Sequence, residues 1–378
     1  MHILFDLRTV DALPTADRVY LLSLVDGLLP ALEARDKVTV LLFKGHPLPW
    51  TPIEHPNVTY REALHHGRSW AGIREMKQIA REIRPTVYWS ADPLLRPPKF
   101  PRRLRVVFAA EELLHFHDKS RFSLLERIKW AILAKPRLLA AHALVCPCRA
   151  QEVRMIAALG LSTRRKAHII HNGVHLIFRH HSEAEVLAVR RRWLIPKRYA
   201  ILVARAEGHH NLETVFKALS CSEEVSSIPC VIVGEAPPTS AMRDLVHEYH
   251  LEGMVRHISS KKLPPADLAA LYSGAAVTLE PTLFANYCPP IPQSMACGTP
   301  VICAATPANK ELFGNAVLRV HPTDAAEWAK AFSALTLSTS LRERLIERGK
   351  ACVAELTWTA TAKASMALAR KLCGEATR

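Results

Sequence analysis

No stretch of the chain reaches the roughly eighteen consecutive apolar residues that a membrane-crossing helix needs, so a spanning segment is not expected. Glycine is sparse, at 14 of 378 residues, and no low-complexity tract is present, which excludes collagen-like and linker-like classes. The nine cysteines are odd in number and lack paired metal-ligand spacing; Cys146 and Cys148 flank one proline, too close for a zinc pair. They read as reduced thiols of a cytoplasmic protein. The opening MHILFDLRTV lacks an apolar leader core and reads as a strand, so no secretory leader is expected. No nucleic-acid reader motif accompanies the basic residues, and nucleic acid is not an expected partner.

What is present is an ordinary globular composition, 49% hydrophobic and 22% charged, at a length that suits two domains, each with a full core. The formal charge of +15 is uneven: Lys and Arg number 28 against 16 Asp and Glu up to Arg179, and 22 against 19 after it. An excess of about +12 in the first half favours an anionic partner, such as a phospholipid surface or a lipid diphosphate.

Short β-branched runs alternate with helical patterns. HILFDL, KVTVLLF, TVYWSA and RVVFAA read as strands of the first half. YAILVARA, PCVIVGEA, VRHISS, AVTLEP, TPVICA and AVLRV read as strands of the second. This alternation predicts two doubly wound parallel α/β domains. A boundary is expected near HIIHNGVHLIFRHH, where Asn172 and Gly173 suggest a turn, which gives domains at 1–175 and 176–360 and a terminal helix at 361–378 packing back on the first domain. Two such domains facing each other would leave a ligand cleft at the carboxyl ends of their strands.

The succession ILVARAEGHHNLETVFKAL, VIVGEA, VRHISSKKLPPADLAALYSGAAVTLEPTLF and SMACGTPVICAATPANKELFGNAVLRVHPTD resembles the nucleotide-sugar domain of glycosyltransferase family 4, the retaining GT-B enzymes. HNGV at His171 to Val174 resembles that family's interdomain segment, and TWTATAKASMALARKL its C-terminal helix; MHILFDLRTV and VYWSADPLLRPP resemble its acceptor domain. The resemblance implies a GT-B fold and transfer of a sugar from a nucleotide-sugar donor to a saccharide or lipid-linked acceptor, with retention and without a metal or other cofactor.

Donor breakdown builds negative charge on a leaving nucleoside diphosphate and positive charge at the anomeric carbon, so such a site needs cations at one end and a carboxylate at the other. By the resemblance, Arg205 matches the diphosphate-clamping arginine, and His210 stands where a lysine is expected. The two family glutamates that bracket the donor fall on Ala285, which has neither charge nor hydrogen bond, and Gln293, which keeps an amide oxygen for a ribose hydroxyl. Glu280, five residues before Ala285, is a carboxylate at a strand end. Glu311 in ANKELF matches a family carboxylate near the donor pocket. Cys297, Gly298, Thr299 and Pro300 match a family backbone turn.

In the first half, DALPTADRVY holds no glycine where the family often has a glycine-rich phosphate turn. Glu111 and Glu112 best match a family His-Asp pair, and read either as a rearranged acidic site or as a solvated helix start. The segment RFSLLERIKWAILAKPRLL sets Phe122, Leu125, Ile128, Trp130 and Ile132 among Arg127, Lys129 and Lys135. It reads either as a basic amphipathic face for an anionic membrane, making the protein peripheral at the inner face of a membrane, or as a helix packed on the first sheet. Loss of both donor-site carboxylates leaves a second functional expectation: a degenerate glycosyltransferase-like protein that scaffolds or regulates a protein partner.

Overall fold

The computed structural model describes the chain except residues 13–14, 46–53, 100–102, 112–121, 204–209, 222–226, 235–239, 284–286 and 375–378, and except the side chains of 12 and 15–17. It divides into two compact units, Met1–Gly173 with Thr357–Arg378, and Val174–Leu356. The division falls two residues before the expected boundary.

In the first unit the strands are β1 (His2–Asp6), β2 (Lys37–Phe43), β3 (Val58–Ala63), β4 (Val87–Ser90), β5 (Arg105–Ala109), β6 (Ala143–Cys146) and β7 (Ala167–Ile169). They form one sheet in the order β3-β2-β1-β4-β5-β6-β7, each neighbouring pair parallel. Because strand side chains alternate between faces, Ile3 and Phe5 enter one core with Val38 and Val40. Leu4 enters the opposite core with Leu41 and Tyr88. Both faces are covered, which is why these strands read as nearly unbroken apolar runs.

The helix Trp358–Cys373 closes the first core: Trp358, Ala362, Met366 and Ala369 pack with Tyr20, Leu24 and Leu28. Two glycines permit this. A Cβ on Gly27 or on Gly173 would collide with the Trp358 backbone. Gly173 is not among the residues with positive φ, and residues 171–173 form no turn. The expected Asn-Gly turn is therefore corrected: close backbone approach, and not a left-handed conformation, requires this glycine. The Thr361 hydroxyl donates to the His171 carbonyl at 2.7 Å, and Arg370 pairs with Asp36 at 2.7 Å, so the helix is fixed at both ends.

The second unit contains β8 (Ala200–Val203), β9 (Cys230–Gly234), β10 (Val255–Ser259), β11 (Val277–Glu280), β12 (Val301–Ala304) and β13 (Leu318–Val320), in the order β10-β9-β8-β11-β12-β13, all parallel. In this order the chain winds outward one way from β8 and then the other way from β11. The gap between the ends of β8 and β11 is the topological switch point, where doubly wound sheets bind ligands.

Candidate functional site

At that switch point the chain leaves β8 at Val203 and re-enters the described residues at His210. Asn211 caps the following helix, Leu212–Ser220, in the left-handed conformation at φ 52°. Asparagine tolerates that conformation better than most side chains, and here its amide also ties three segments. Its Nδ2 donates to the Pro322 carbonyl beyond β13 at 2.6 Å and to the Pro281 carbonyl beyond β11 at 3.4 Å, while its Oδ1 accepts from Thr214 at 2.8 Å. Asn211 thereby holds the start of this helix over the carboxyl end of β11.

Glu280 ends β11 and is 2% exposed. The Thr282 N–H donates to its Oε1 at 3.2 Å, and the Thr282 hydroxyl donates to the same oxygen. Thr282 in turn lies 3.4 Å from His210 Nδ1. Burial pushes the Glu280 carboxyl up to about 7, against the two hydrogen bonds from Thr282, which pull it down. Its neighbours include Cys303, paired with it across the sheet, and Tyr272; burial first, and then the Glu280 charge, pushes both of these up as well. Glu280 is thus a carboxyl poised between its neutral and charged forms near neutral pH, linked through one hydroxyl to an imidazole.

The remaining sequence candidates fall as follows. Gln293 lies half-buried on the helix Pro290–Ala296, and its amide makes no hydrogen bond among the described residues. Ser294 on the same helix bonds Thr278 of β11, which sets the helix on the sheet. Glu311 is exposed on the helix Pro307–Phe313. Cys297 is buried, Gly298 has φ 82°, and the Thr299 hydroxyl donates to the Tyr272 carbonyl, so this turn ends one helix and starts β12. Arg205, Ala285 and Glu112 lie outside the described residues.

Glu111 belongs to the first unit. It is 2% exposed, which corrects the reading of a solvated helix start, and it accepts from Asn172 Nδ2 at 2.6 Å. Gln151 Nε2 donates to the adjacent Ala110 carbonyl at 3.0 Å. These groups collect where β5, β6 and β7 end.

Sequence reasoning passed over the other polar cluster of the first unit, at the switch point between β1 and β4. Arg8 Nε and Nη2 each donate to one oxygen of Asp6 at 2.9 Å, and its Nη1 donates to the Gly72 carbonyl at 2.8 Å. The Tyr88 hydroxyl donates to Asp6 at 2.8 Å. Asp92 accepts from the Thr9 hydroxyl at 2.7 Å and from Arg68 at 2.9 Å. The signal was available in charged residues set directly after apolar strands, FDLR and WSAD, where a doubly wound sheet exposes its functional edge.

Comparison with known proteins agrees with this fold. Residues 188–351 match the family model of Glycosyl transferases group 1. A curated relative, the O-antigen chain mannosyltransferase B of Escherichia coli, is 28% identical over 185 residues, 47% of this chain and 47% of that protein. The match therefore spans about half the length of the curated relative. Among solved structures, sucrose-phosphate synthase from Thermosynechococcus elongatus superposes with a TM-score of 0.76 at 18% identity, covering 99% of both chains. Anabaena HepE, solved in complex with UDP-glucose, gives 0.75 at 16% identity over 98% of this chain and 99% of that one. WaaG, a glycosyltransferase involved in lipopolysaccharide biosynthesis, gives 0.71 at 12% identity over 99% and 100%. The fold is GT-B. The residues matched by the Glycosyl transferases group 1 model lie within the second unit and take in His210, Glu280 and Gln293.

Proposed function

We propose that the protein is a retaining glycosyltransferase of the family 4 type, moving a hexosyl group from a nucleotide sugar to a saccharide or lipid-linked acceptor without a metal. The observation that carries this reading is the linked set Glu280, Thr282 and His210 at the switch point of a glycosyl transferases group 1 domain. The anomeric carbon–oxygen bond of the donor breaks and the nucleoside diphosphate leaves with the electron pair. A new bond forms to the acceptor oxygen, whose proton passes to a phosphate oxygen. In this reading Arg205 and His210 face the diphosphate, with the amino end of the helix Leu212–Ser220 adding positive potential.

Glu280 supports the diphosphate in its neutral form, because a charged carboxylate there would repel it. The Gln293 amide offers its oxygen to a ribose hydroxyl, and Glu311 lines the outer rim of the pocket. In the first unit Glu111 and Glu112 are the proposed catalytic acids. The UDP-glucose bound by HepE and the mannosyl transfer named for the Escherichia coli relative support a nucleotide-hexose as donor.

Thermal unfolding with UDP-glucose, a mannose nucleotide and the free nucleoside diphosphates tests the reading. A ligand that binds the native state must raise its apparent stability, so a rise of the midpoint with one of them is expected. No shift with any of them at millimolar concentration would overturn the transferase. A second reading has its own observation: Ala285 and Gln293 carry no charge at the two positions where the family places glutamates. The absence of any donor response would favour that reading, a degenerate homologue that scaffolds or regulates a protein partner.

A further inference from the structure

The loop that joins β3 to the helix Trp70–Ile83 is tied down along its length. The Leu64 and His65 N–H groups donate to the two oxygens of Glu75 at 2.7 and 3.0 Å. The Ser69 hydroxyl donates to the His66 carbonyl at 2.7 Å and accepts from the Gly72 N–H at 3.0 Å, which caps the helix. The His66 ring meets Phe43 edge-on, with 5.9 Å between centroids. In the middle of the loop Gly67 lies against Leu95, Arg8 and Thr9, where a Cβ would collide with the Leu95 side chain. Arg68 Nε donates to Asp92 at 2.9 Å. The loop thus crosses from the edge strand β3 to the switch point between β1 and β4, and is fixed there.

What this fixed loop presents to solvent is Trp70, which is 78% exposed. Trp89, Trp328 and Trp358 are buried, and Trp130 and Trp193 half-buried. Leaving an indole in water forgoes the stabilisation its burial would give. A rigidly held indole, in turn, loses little freedom when a ligand covers it. The polar groups beside it are largely balanced in charge. Exposed His65 has its Nδ1 3.3 Å from Glu75 Oε2, and Arg68 pairs with Asp92 through Nε, leaving its two Nη groups without a hydrogen bond among the described residues. Arg74, one turn along the helix from Trp70, is exposed. A flat apolar face rimmed by such donors matches a neutral ligand with an apolar face and hydroxyls at its edge, which describes a pyranose ring.

We propose that Trp70 is a stacking platform for one sugar unit of the acceptor, with Arg68 and His65 bonding that unit's hydroxyls. The inference rests on the reading of the protein as a sugar transferase. In the sheet order β3 and β5 lie on opposite sides of the switch point, and the proposed acid Glu111 follows β5. The unit on Trp70 is therefore not the one that reacts, and the acceptor is a saccharide chain rather than a single sugar.

The test is calorimetric titration of the full chain with mannose and with mannotriose, maltotriose, cellotriose and chitotriose. One of the trisaccharides is expected to bind about tenfold or more tighter than mannose, and Trp70→Ala to abolish that advantage. Trp70→Tyr should recover part of it. The changed side chain is exposed, so an unchanged thermal midpoint verifies the fold. Binding of no trisaccharide, or equal binding by the native chain and Trp70→Ala, would overturn the proposal. So would vesicle binding that Trp70→Ala abolishes while saccharide binding stays unaltered, since it would assign the indole to lipid. Nucleoside diphosphates in the same titration separate the two readings. A chain that binds them while Trp70→Ala leaves trisaccharide binding unaltered keeps the donor site and loses the platform. Trisaccharide binding that depends on Trp70 in a chain with no nucleotide response keeps the platform and loses the transferase.

Discussion

Thr282 gives both its backbone N–H and its hydroxyl to a single oxygen of Glu280. The carboxyl nevertheless stands near 7, because complete burial outweighs the two hydrogen bonds. This balance makes Glu280 a group through which pH reaches the stability of the second unit.

For stability the sign is set by a carboxyl that is more basic folded than unfolded. Its contribution is fully present below about pH 4.5, the value of a free glutamate, and is lost as pH rises through about 7. Glu280→Gln keeps an oxygen for Thr282 and cannot ionise. Urea unfolding of the two proteins at pH 5 and pH 8 is expected to show the variant gaining on the native chain by up to about 3 kcal/mol at the higher pH. A difference that does not vary with pH would show that Glu280 ionises freely in the fold.

Donor affinity is expected to fall as pH rises from 6 to 8. Over that range Glu280 acquires its charge, which disfavours an anion. Calorimetric titration with a nucleoside diphosphate checks this. Glu280→Gln should flatten the profile.

Arg8 and Asp6 form a buried, bidentate pair at the edge of the first sheet. Arg8→Met is expected to cost about 3 to 5 kcal/mol, because it strands the Asp6 charge beside Tyr88. The double variant Arg8→Met, Asp6→Asn should recover part of that loss. Chemical denaturation of the three proteins tests the order.

Gly173→Ala is expected to destabilise the first unit by displacing Trp358 from the space beside residue 173. Hydrogen exchange should show lost protection in the helix Trp358–Cys373 and in the packed segment around Tyr20. The core strands of the second unit should keep theirs.

Introducing carboxylates by Ala285→Glu with Gln293→Glu tests the proposed donor site. A gain of donor hydrolysis over the native chain is the expected outcome if the remaining pocket is intact. Radiolabelled sugar release measures it.

Much of the fold was legible in the chain. The apolar runs of β1, β2, β4 and β5, and of the central strands β8, β9, β11 and β12 of the second unit, stand out because strands covered on both faces are apolar nearly throughout, and the edge strands β10 and β13 were legible from the alternation around them. The strands β3 and β6 did not stand out. The first is an edge strand of mixed burial, VTYREA, and the second, ALVC, follows the helix ending at Ala140 after two residues with no glycine or proline to mark its start. The order of the second sheet then placed His210 and Glu280 at one switch point, as their positions after strands allow.

By itself the sequence determined the two doubly wound halves, the segment that matches the group 1 model and the uncharged residues at 285 and 293, since each depends on residue type and order along the chain. Only the tertiary structure decided the burial of Glu280 and Glu111 and the exposure of Ile132. It also decided why residue 173 is glycine. A side chain's charge, exposure and available space are set by neighbours distant in sequence, as Asn211 shows in reaching Pro281 and Pro322 from 70 and 111 residues away.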